Sequence, residues 1–228
     1  SQAQASNEGE VFYATVPTSL TGGLGSMQSP EGWRRSMRST IIHEAKHITS
    51  YAERMARGHG LEEGWLEEGT ARHSEELYAR ALANRAWKDN AGYAAIACEV
   101  RPSSSACADQ PYVMYKHFSG LADYMAANGA LTPLGQTNSG DYNYYASAWS
   151  LVRWAADLAP AEGAFLQALT RGPAVGVANL ETAAGRPWSD MVADWTMSLA
   201  LDDYTGFLPS RDQRVATWNL QDVFAGMH

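Results

Sequence analysis

The chain has 228 residues, a length within the size of one domain, and 45% of them are hydrophobic, so it can bury a sizeable core. Its 25 acidic and 17 basic side chains give a net charge of −8, which argues against binding to nucleic acid or an anionic membrane by counterion release. No apolar run approaches the roughly 20 residues of a membrane-spanning helix, and no signal peptide is recognisable. We therefore expect one unit without a membrane span and without a nucleic-acid partner.

The first predicted element is a short β strand. Residues 11–16 are rich in β-branched and aromatic side chains, end at Pro17 and precede a glycine-rich loop at 22–25. Such a strand could pair with an extended peptide, or it could close the core as a plain edge strand. The sequence thus predicts a small N-terminal β element at about 9–28.

The second predicted element is a long amphipathic helix. Ser29, Pro30 and Glu31 are typical of an N-cap, a first helical position and a first turn, and Arg-Gly-His-Gly at 57–60 is typical of a helix end. One set of apolar residues recurs at spacings of three and four and predicts a core-facing stripe. Its members are Met37, Ile41, Ala45, Ile48, Ala52 and Met55. About half a turn away, a polar stripe should line a cleft or face water. It comprises Ser36, Thr40, His43, His47 and Ser50.

Residues 43–47 of this helix have the sequence HEAKH, which is an HExxH motif. In a helix this motif places two imidazoles on one face with a carboxylate beside them, which is half of a zinc peptidase site. The alternative is two histidines on a solvated helix face. A catalytic zinc is typically held by three protein groups, with its fourth position left to water, so a third donor is needed. The glutamates of the next helical pattern, at 61–78, are the candidates.

The segment Trp65-Leu66-Glu67-Glu68-Gly69-Thr70-Ala71 resembles that of the gluzincin metallopeptidases. In that family HExxH is followed in the next helix by W-L-x-E-G-x-A, which carries the third ligand. The resemblance implies a zincin-like catalytic domain in which Zn²⁺ is held by His43, His47 and Glu68, with Glu67 as the second candidate for the third ligand. His73 stands where many members have tyrosine, and it could add a hydrogen bond beside the metal or a fourth ligand.

Other zinc peptidase classes fit the sequence less well. A metzincin needs Gly and His where this chain has Ser50 and Glu53, and no segment matches an aspartate-ligand variant. Within the gluzincins, residues 144–154 and the Gly-Val-Ala-Asn and Gly-Arg-Pro segments downstream most closely resemble the sequences of hyicolysin-like secreted bacterial peptidases.

The resemblance also implies a mechanism in which Glu44 is the general base for a metal-activated water. Tyr145 is the best match for the tyrosine that stabilises the oxyanion, and Tyr144 is its alternative, although both rings could be ordinary aromatic packing. His117 lies on a helix with an apolar stripe and is interpreted as a structural histidine. The expected function is that of a zinc-dependent endopeptidase, a hydrolase acting on polypeptide. A catalytically silent zinc-binding module that recognises a protein or cell-surface polymer, or a hydrolase of a non-peptide amide, are the alternatives.

The remaining pattern is helical. Helices are predicted near 111–128, 143–158, 161–171 and 189–201, and the tail from Asp202 carries no clear pattern. Cys98 and Cys107 bracket a loop-like segment and are interpreted as a disulfide, which favours a secreted or otherwise extracytoplasmic location; two unpaired buried thiols are the alternative. The predicted fold class is mainly α (α+β). One catalytic unit covers 1–228, with zinc-site helices at about 29–87 and a helical C-terminal subdomain at about 110–205.

Overall fold

A computed structural model of the chain describes residues 30–100, 107, 113–127, 132, 134, 143–204, 206 and 210–228, without the side chains of residues 30–33, 35, 36 and 143. The described part is mainly helical, as the sequence predicts. The predicted β element at about 9–28 lies outside the described residues. The helices are α1 Pro30–Ala56, α2 Gly64–Leu82, α3 Tyr93–Val100, α4 Tyr115–Ala126, α5 Asn143–Leu158, α6 Glu162–Arg171, α7 Gly176–Ala184, α8 Trp188–Leu201 and α9 Leu220–Met227.

Two hydrophobic clusters meet along α5, which gives Trp149 to one and Trp154 to the other. Trp149 packs edge-on against Phe118 of α4, with ring centroids 5.5 Å apart. Because an indole or phenyl side chain buries more apolar area than an aliphatic one, these rings account for much of the core. The central position of α5 makes it the support against which α2 is held.

Gly69 allows α2 to approach α5 closely. A Cβ built at this position would lie 3.0 Å from the backbone carbonyl carbon and oxygen of Ala148. Any larger side chain would therefore push the two helices apart. Gly69 follows Glu67 and Glu68 in the sequence. The contact of Gly69 with α5 therefore also fixes the position of α2 from which the two carboxylates reach α1.

The predicted burial of α1 is wrong. Ile41 and Met55, on the predicted core-facing stripe, are 44% and 69% exposed, whereas Ser39 and Ser50 are buried. The histidine face of α1 packs against α2 because the glutamates of α2 supply hydrogen-bond acceptors and charge to its polar side chains. A polar stripe with such partners can be buried without the desolvation penalty of unpaired groups.

Cys98, on α3, forms a disulfide with Cys107, with the two Cα atoms 5.0 Å apart. The predicted pairing is therefore confirmed. Within the described residues, no helix is long and apolar enough to cross a membrane.

Candidate metal centre

His43 and His47 lie one turn apart on α1, with ring centroids 4.8 Å from each other. Glu68 of α2 faces both rings: its Oε2 is 3.0 Å from Nε2 of His43, and its Oε1 is 3.6 Å from Nε2 of His47. One ligand atom from each of the three residues lies within 4.8 Å of the other two. This group could therefore hold a metal ion, and its members are those that the sequence predicts as ligands. All three side chains are only partly buried, so solvent can reach the group.

Each histidine also contacts a second carboxylate, at Nδ1, the ring nitrogen that does not face Glu68. Nδ1 of His43 lies 2.7 Å from Oε1 of Glu75, and Nδ1 of His47 lies 2.9 Å from Oε1 of Glu67. An ionised carboxylate only accepts hydrogen bonds, so each Nδ1 donates its proton. Each Nε2 is then left on the side of Glu68 as the nitrogen that can bind a metal. A carboxylate behind a ligand histidine is the usual arrangement in protein metal sites, and these residues fit a bound divalent cation.

Both supporting glutamates are themselves fixed in the same way. Oε2 of Glu75 accepts from the Ser39 hydroxyl at 2.6 Å and from the Lys116 ammonium at 2.5 Å. Oε2 of Glu67 accepts from the Ser50 hydroxyl at 3.0 Å and from the Lys46 ammonium at 2.7 Å. Each histidine is thus backed by a Glu, a Ser and a Lys, and each lysine offsets the charge of its glutamate.

Sequence reasoning missed most of these supports. It placed Ser50 on the polar stripe, proposed Glu67 as an alternative ligand and included Glu75 only among the candidate glutamates of 61–78, but it assigned no role to Ser39, Lys46 or Lys116. Lys46 and Ser39 lie on α1, so helical spacing from the histidines was an available signal. Lys116 comes from α4, and no local pattern connects that helix with the HExxH segment.

The electrostatics among the protein groups of the site favour protonated histidines beside ionised glutamates. Burial opposes a charge on His47, but the hydrogen bond with Glu67 and the neighbouring Glu68 outweigh it and raise the pKa of His47 to about 9. Burial would raise the pKa of Glu68, yet His43 and His47 lower it to about 2. The pKa of His43 is also raised, because its bonds to Glu68 and Glu75 outweigh burial. A cation that binds here must displace protons from the histidines.

Glu44 and Tyr51 lie beside the candidate ligands His43 and His47 on α1. Glu44 is partly buried. Burial of the Tyr51 phenol raises its pKa, and the negative charges of Glu67, Glu68 and Glu44 raise it further. The ring of Tyr51 stacks on His47 at a centroid distance of 6.0 Å and is partly exposed. Tyr51 was absent from the sequence-based site, although its position four residues after His47 puts both on one face of a helix.

Tyr145 lies at the start of α5, where its ring centroid is 5.6 Å from Cζ of Arg72 and 4.4 Å from that of Tyr144. Arg72 follows Glu68 by one helical turn on α2, so Tyr145 contacts α2 one turn beyond the candidate ligand. Its expected role at the oxyanion, and that of Tyr144, stay predictions.

The other two histidines considered as site residues lie in the core. His73 is fully buried, and its Nε2 lies 3.2 Å from Oε1 of Glu162, away from the ligand group. It is therefore not a fourth member of that group among the described residues. His117 is also fully buried, and its ring lies between the carbonyl oxygens of Val113 and Arg72, at 3.0 and 2.9 Å. This position agrees with the structural role expected for His117.

Comparisons with protein-family models, with curated proteins and with solved structures found no match for this chain.

Proposed function

We propose that the protein is a zinc-dependent endopeptidase of the gluzincin type. The observation that carries the proposal is the convergence of His43 Nε2, His47 Nε2 and a Glu68 carboxylate oxygen, with both Nδ1 atoms held by other carboxylates. Two imidazoles and one carboxylate form the protein ligand set of catalytic zinc sites that leave a fourth position open, and here all three groups are only partly buried. Bound zinc would lower the pKa of a coordinated water toward about 7 and so make it a nucleophile at neutral pH.

The residues of the chain supply the remaining steps. Glu44 accepts the proton of the attacking water and later passes it to the nitrogen of the leaving amine, so that the peptide bond is replaced by a carboxylate and a free amine. Its place between the two ligand histidines puts the carboxylate beside the site without making it a ligand. Tyr145 donates its phenolic proton in a hydrogen bond to the oxygen that becomes negative during attack. The supporting glutamates keep the histidine rings from rotating while charge moves.

Two features support Glu44 as a base rather than a bystander. A site that only binds zinc has no need of a carboxylate in the water-activating position. Moreover, the other glutamates at the site, Glu67, Glu68 and Glu75, are each bonded to a histidine. Because these bonds engage their carboxylates, Glu44 is the better candidate for the base. The disulfide between Cys98 and Cys107 further supports a secreted or extracytoplasmic protein, because such bonds persist in oxidising compartments.

The test is cleavage of a diverse peptide mixture by the zinc-loaded protein, read by mass spectrometry, with Glu44→Gln as the matched variant. We expect internal cleavage by the parent protein, a loss of at least about 100-fold in the variant, and zinc bound by both. Absence of cleavage by both zinc-loaded proteins would contradict the proposal and favour a zinc-binding module or a non-peptide amide substrate.

A further inference from the structure

Arg72, one helical turn after the proposed ligand Glu68, is a cation without an ion-pair partner among the residues that the structure describes. It follows Glu68 by four residues and precedes Glu75 by three on α2, so the three side chains share one helix face. Glu68 faces the two histidines, and Glu75 bonds Nδ1 of His43. Along α2, Arg72 therefore lies between the proposed ligand Glu68 and the glutamate that supports His43.

The guanidinium of Arg72 has no polar partner among the residues that the structure describes. Its Nε and Nη1 atoms are shielded from solvent and donate to no acceptor, although the residue as a whole is only partly buried. Leaving such donors unsatisfied costs free energy, because a buried polar group loses its bonds to water. An arginine in this position is therefore poised to gain from an acceptor that arrives from outside the chain.

The terminal guanidinium nitrogens of the fully buried Arg54 and Arg153 have acceptors, although Nε of Arg153 has none, and this distinguishes both residues from Arg72. Arg153 donates to Glu76 and Asp157, each at 3.0 Å. Arg54 donates to the carbonyl oxygen of Gly60 at 2.6 Å and to that of Ala174 at 2.8 Å. These two arginines tie helices and loops together, whereas the side chain of Arg72 performs no such bonding among the described residues.

The surroundings of Arg72 favour an anion. Its Cζ lies 5.6 Å from the ring centroid of Tyr145, so an aromatic face covers one side of the guanidinium. The carboxylate of Glu75, whose ionised form the charge of Arg72 favours, is already bonded to His43, Ser39 and Lys116. Among the described residues, no direct ion pair therefore neutralises the positive charge of Arg72.

We propose that Arg72 binds a carboxylate of the peptide substrate next to the cleaved bond. This inference rests on the proposed peptidase function and adds a substrate class to it, namely peptides that carry a carboxylate close to the scissile bond. A planar guanidinium and a carboxylate make paired charge-assisted hydrogen bonds, which a lysine cannot reproduce. The carboxylate comes either from an acidic side chain or from a free C-terminus.

The experiment first measures binding in a background that does not cleave. Zinc-loaded Glu44→Gln protein and the Glu44→Gln/Arg72→Gln double variant are titrated with fluorescent peptides in matched sets. One pair differs by Glu against Gln beside the cleavage position, and a second pair differs by a free against an amidated C-terminus. We expect the carboxylate peptide of one pair to bind about tenfold or more tightly than its neutral counterpart in the first protein, and this preference to vanish in the second.

Two controls sharpen the result. Arg72→Lys keeps the charge but not the paired geometry, so it should restore only part of the preference, whereas Arg57→Gln, at an exposed arginine after α1, should leave it intact. Equal binding of the carboxylate and neutral peptides in both pairs, or a preference that survives Arg72→Gln, overturns the proposal. Because binding is measured without turnover, failure of the parent protein to cleave peptides would refute the peptidase function separately.

Discussion

Glu67 and Glu68 are neighbours on α2 with the same functional group, but they contact different nitrogens of the histidines at the candidate metal centre. Oε1 of Glu67 accepts from Nδ1 of His47, behind the ring, whereas the carboxylate of Glu68 faces Nε2 of both histidines. Replacing either by glutamine keeps the size and removes the charge. Glu68→Gln removes a proposed ligand, but Glu67→Gln only weakens the support of one.

The expected magnitudes follow from these positions. Loss of a carboxylate behind a ligand histidine typically lowers metal affinity by 10- to 100-fold, or about 1.4–2.7 kcal/mol, so this is the range for Glu67→Gln. Loss of the ligand itself should exceed the upper end, so we expect more than about 100-fold for Glu68→Gln. Part of the Glu67→Gln effect comes from Lys46 and Ser50, which lose a charged acceptor.

The assay is competition for Zn²⁺ against a chromophoric chelator at one pH, for the parent protein and both variants. Glu53→Gln, which removes a carboxylate of α1 that pairs with Arg57 and Arg171, is the matched control and should not change the affinity. A larger loss in Glu67→Gln than in Glu68→Gln would refute the assignment and make Glu67 the ligand.

Three further predictions concern protons, the disulfide and helix packing. The pKa of His47 without zinc is raised to about 9, so zinc must displace a proton from this ring, and the zinc affinity should fall by at least roughly tenfold for each pH unit below that value. Calorimetry in buffers of different ionisation enthalpy should detect the released proton. A zinc affinity that does not change with pH would contradict this prediction. Replacing Cys98 and Cys107 by serine opens a loop with a sequence separation of 9 and should lower the free energy of unfolding in urea by about 2–3 kcal/mol, whereas unchanged stability would show that the bond does not restrain the unfolded chain. Gly69→Ala should lower the free energy of unfolding by about 1–3 kcal/mol, because the added Cβ meets the Ala148 backbone. A higher free energy of unfolding, as expected from the better helix propensity of alanine alone, would show that α2 can shift away from α5.

The ligand group was accessible to sequence reasoning because each part has a local signal. The two histidines of HExxH are joined by helix periodicity, and the W-L-x-E-G-x-A resemblance selects Glu68 over Glu67. The bounds of α1 and α5 also agree with the predicted ones. Pro30 and the glycines near residue 58 mark the ends of α1, and a helix was predicted near 143–158.

The parts that sequence reasoning missed depend on tertiary partners. The polar face of α1 was expected in a cleft or in water, because periodicity alone does not reveal that Glu67 and Glu75 of another helix satisfy it. Lys116 reaches Glu75 from α4, at a sequence distance that no pattern of spacing covers. The short helices α3, α7 and α9 were not predicted, because eight or nine residues carry too little periodicity to be distinguished from loops.

The most direct test of the metal centre is anomalous diffraction from crystals of the zinc-loaded protein, recorded on both sides of the zinc absorption edge. The account predicts one anomalous peak at about 2.0–2.2 Å from Nε2 of His43, Nε2 of His47 and a carboxylate oxygen of Glu68, with both Nδ1 atoms still bonded to Glu67 and Glu75. A zinc peak bound through Glu67, or placed away from the two histidines, would contradict it.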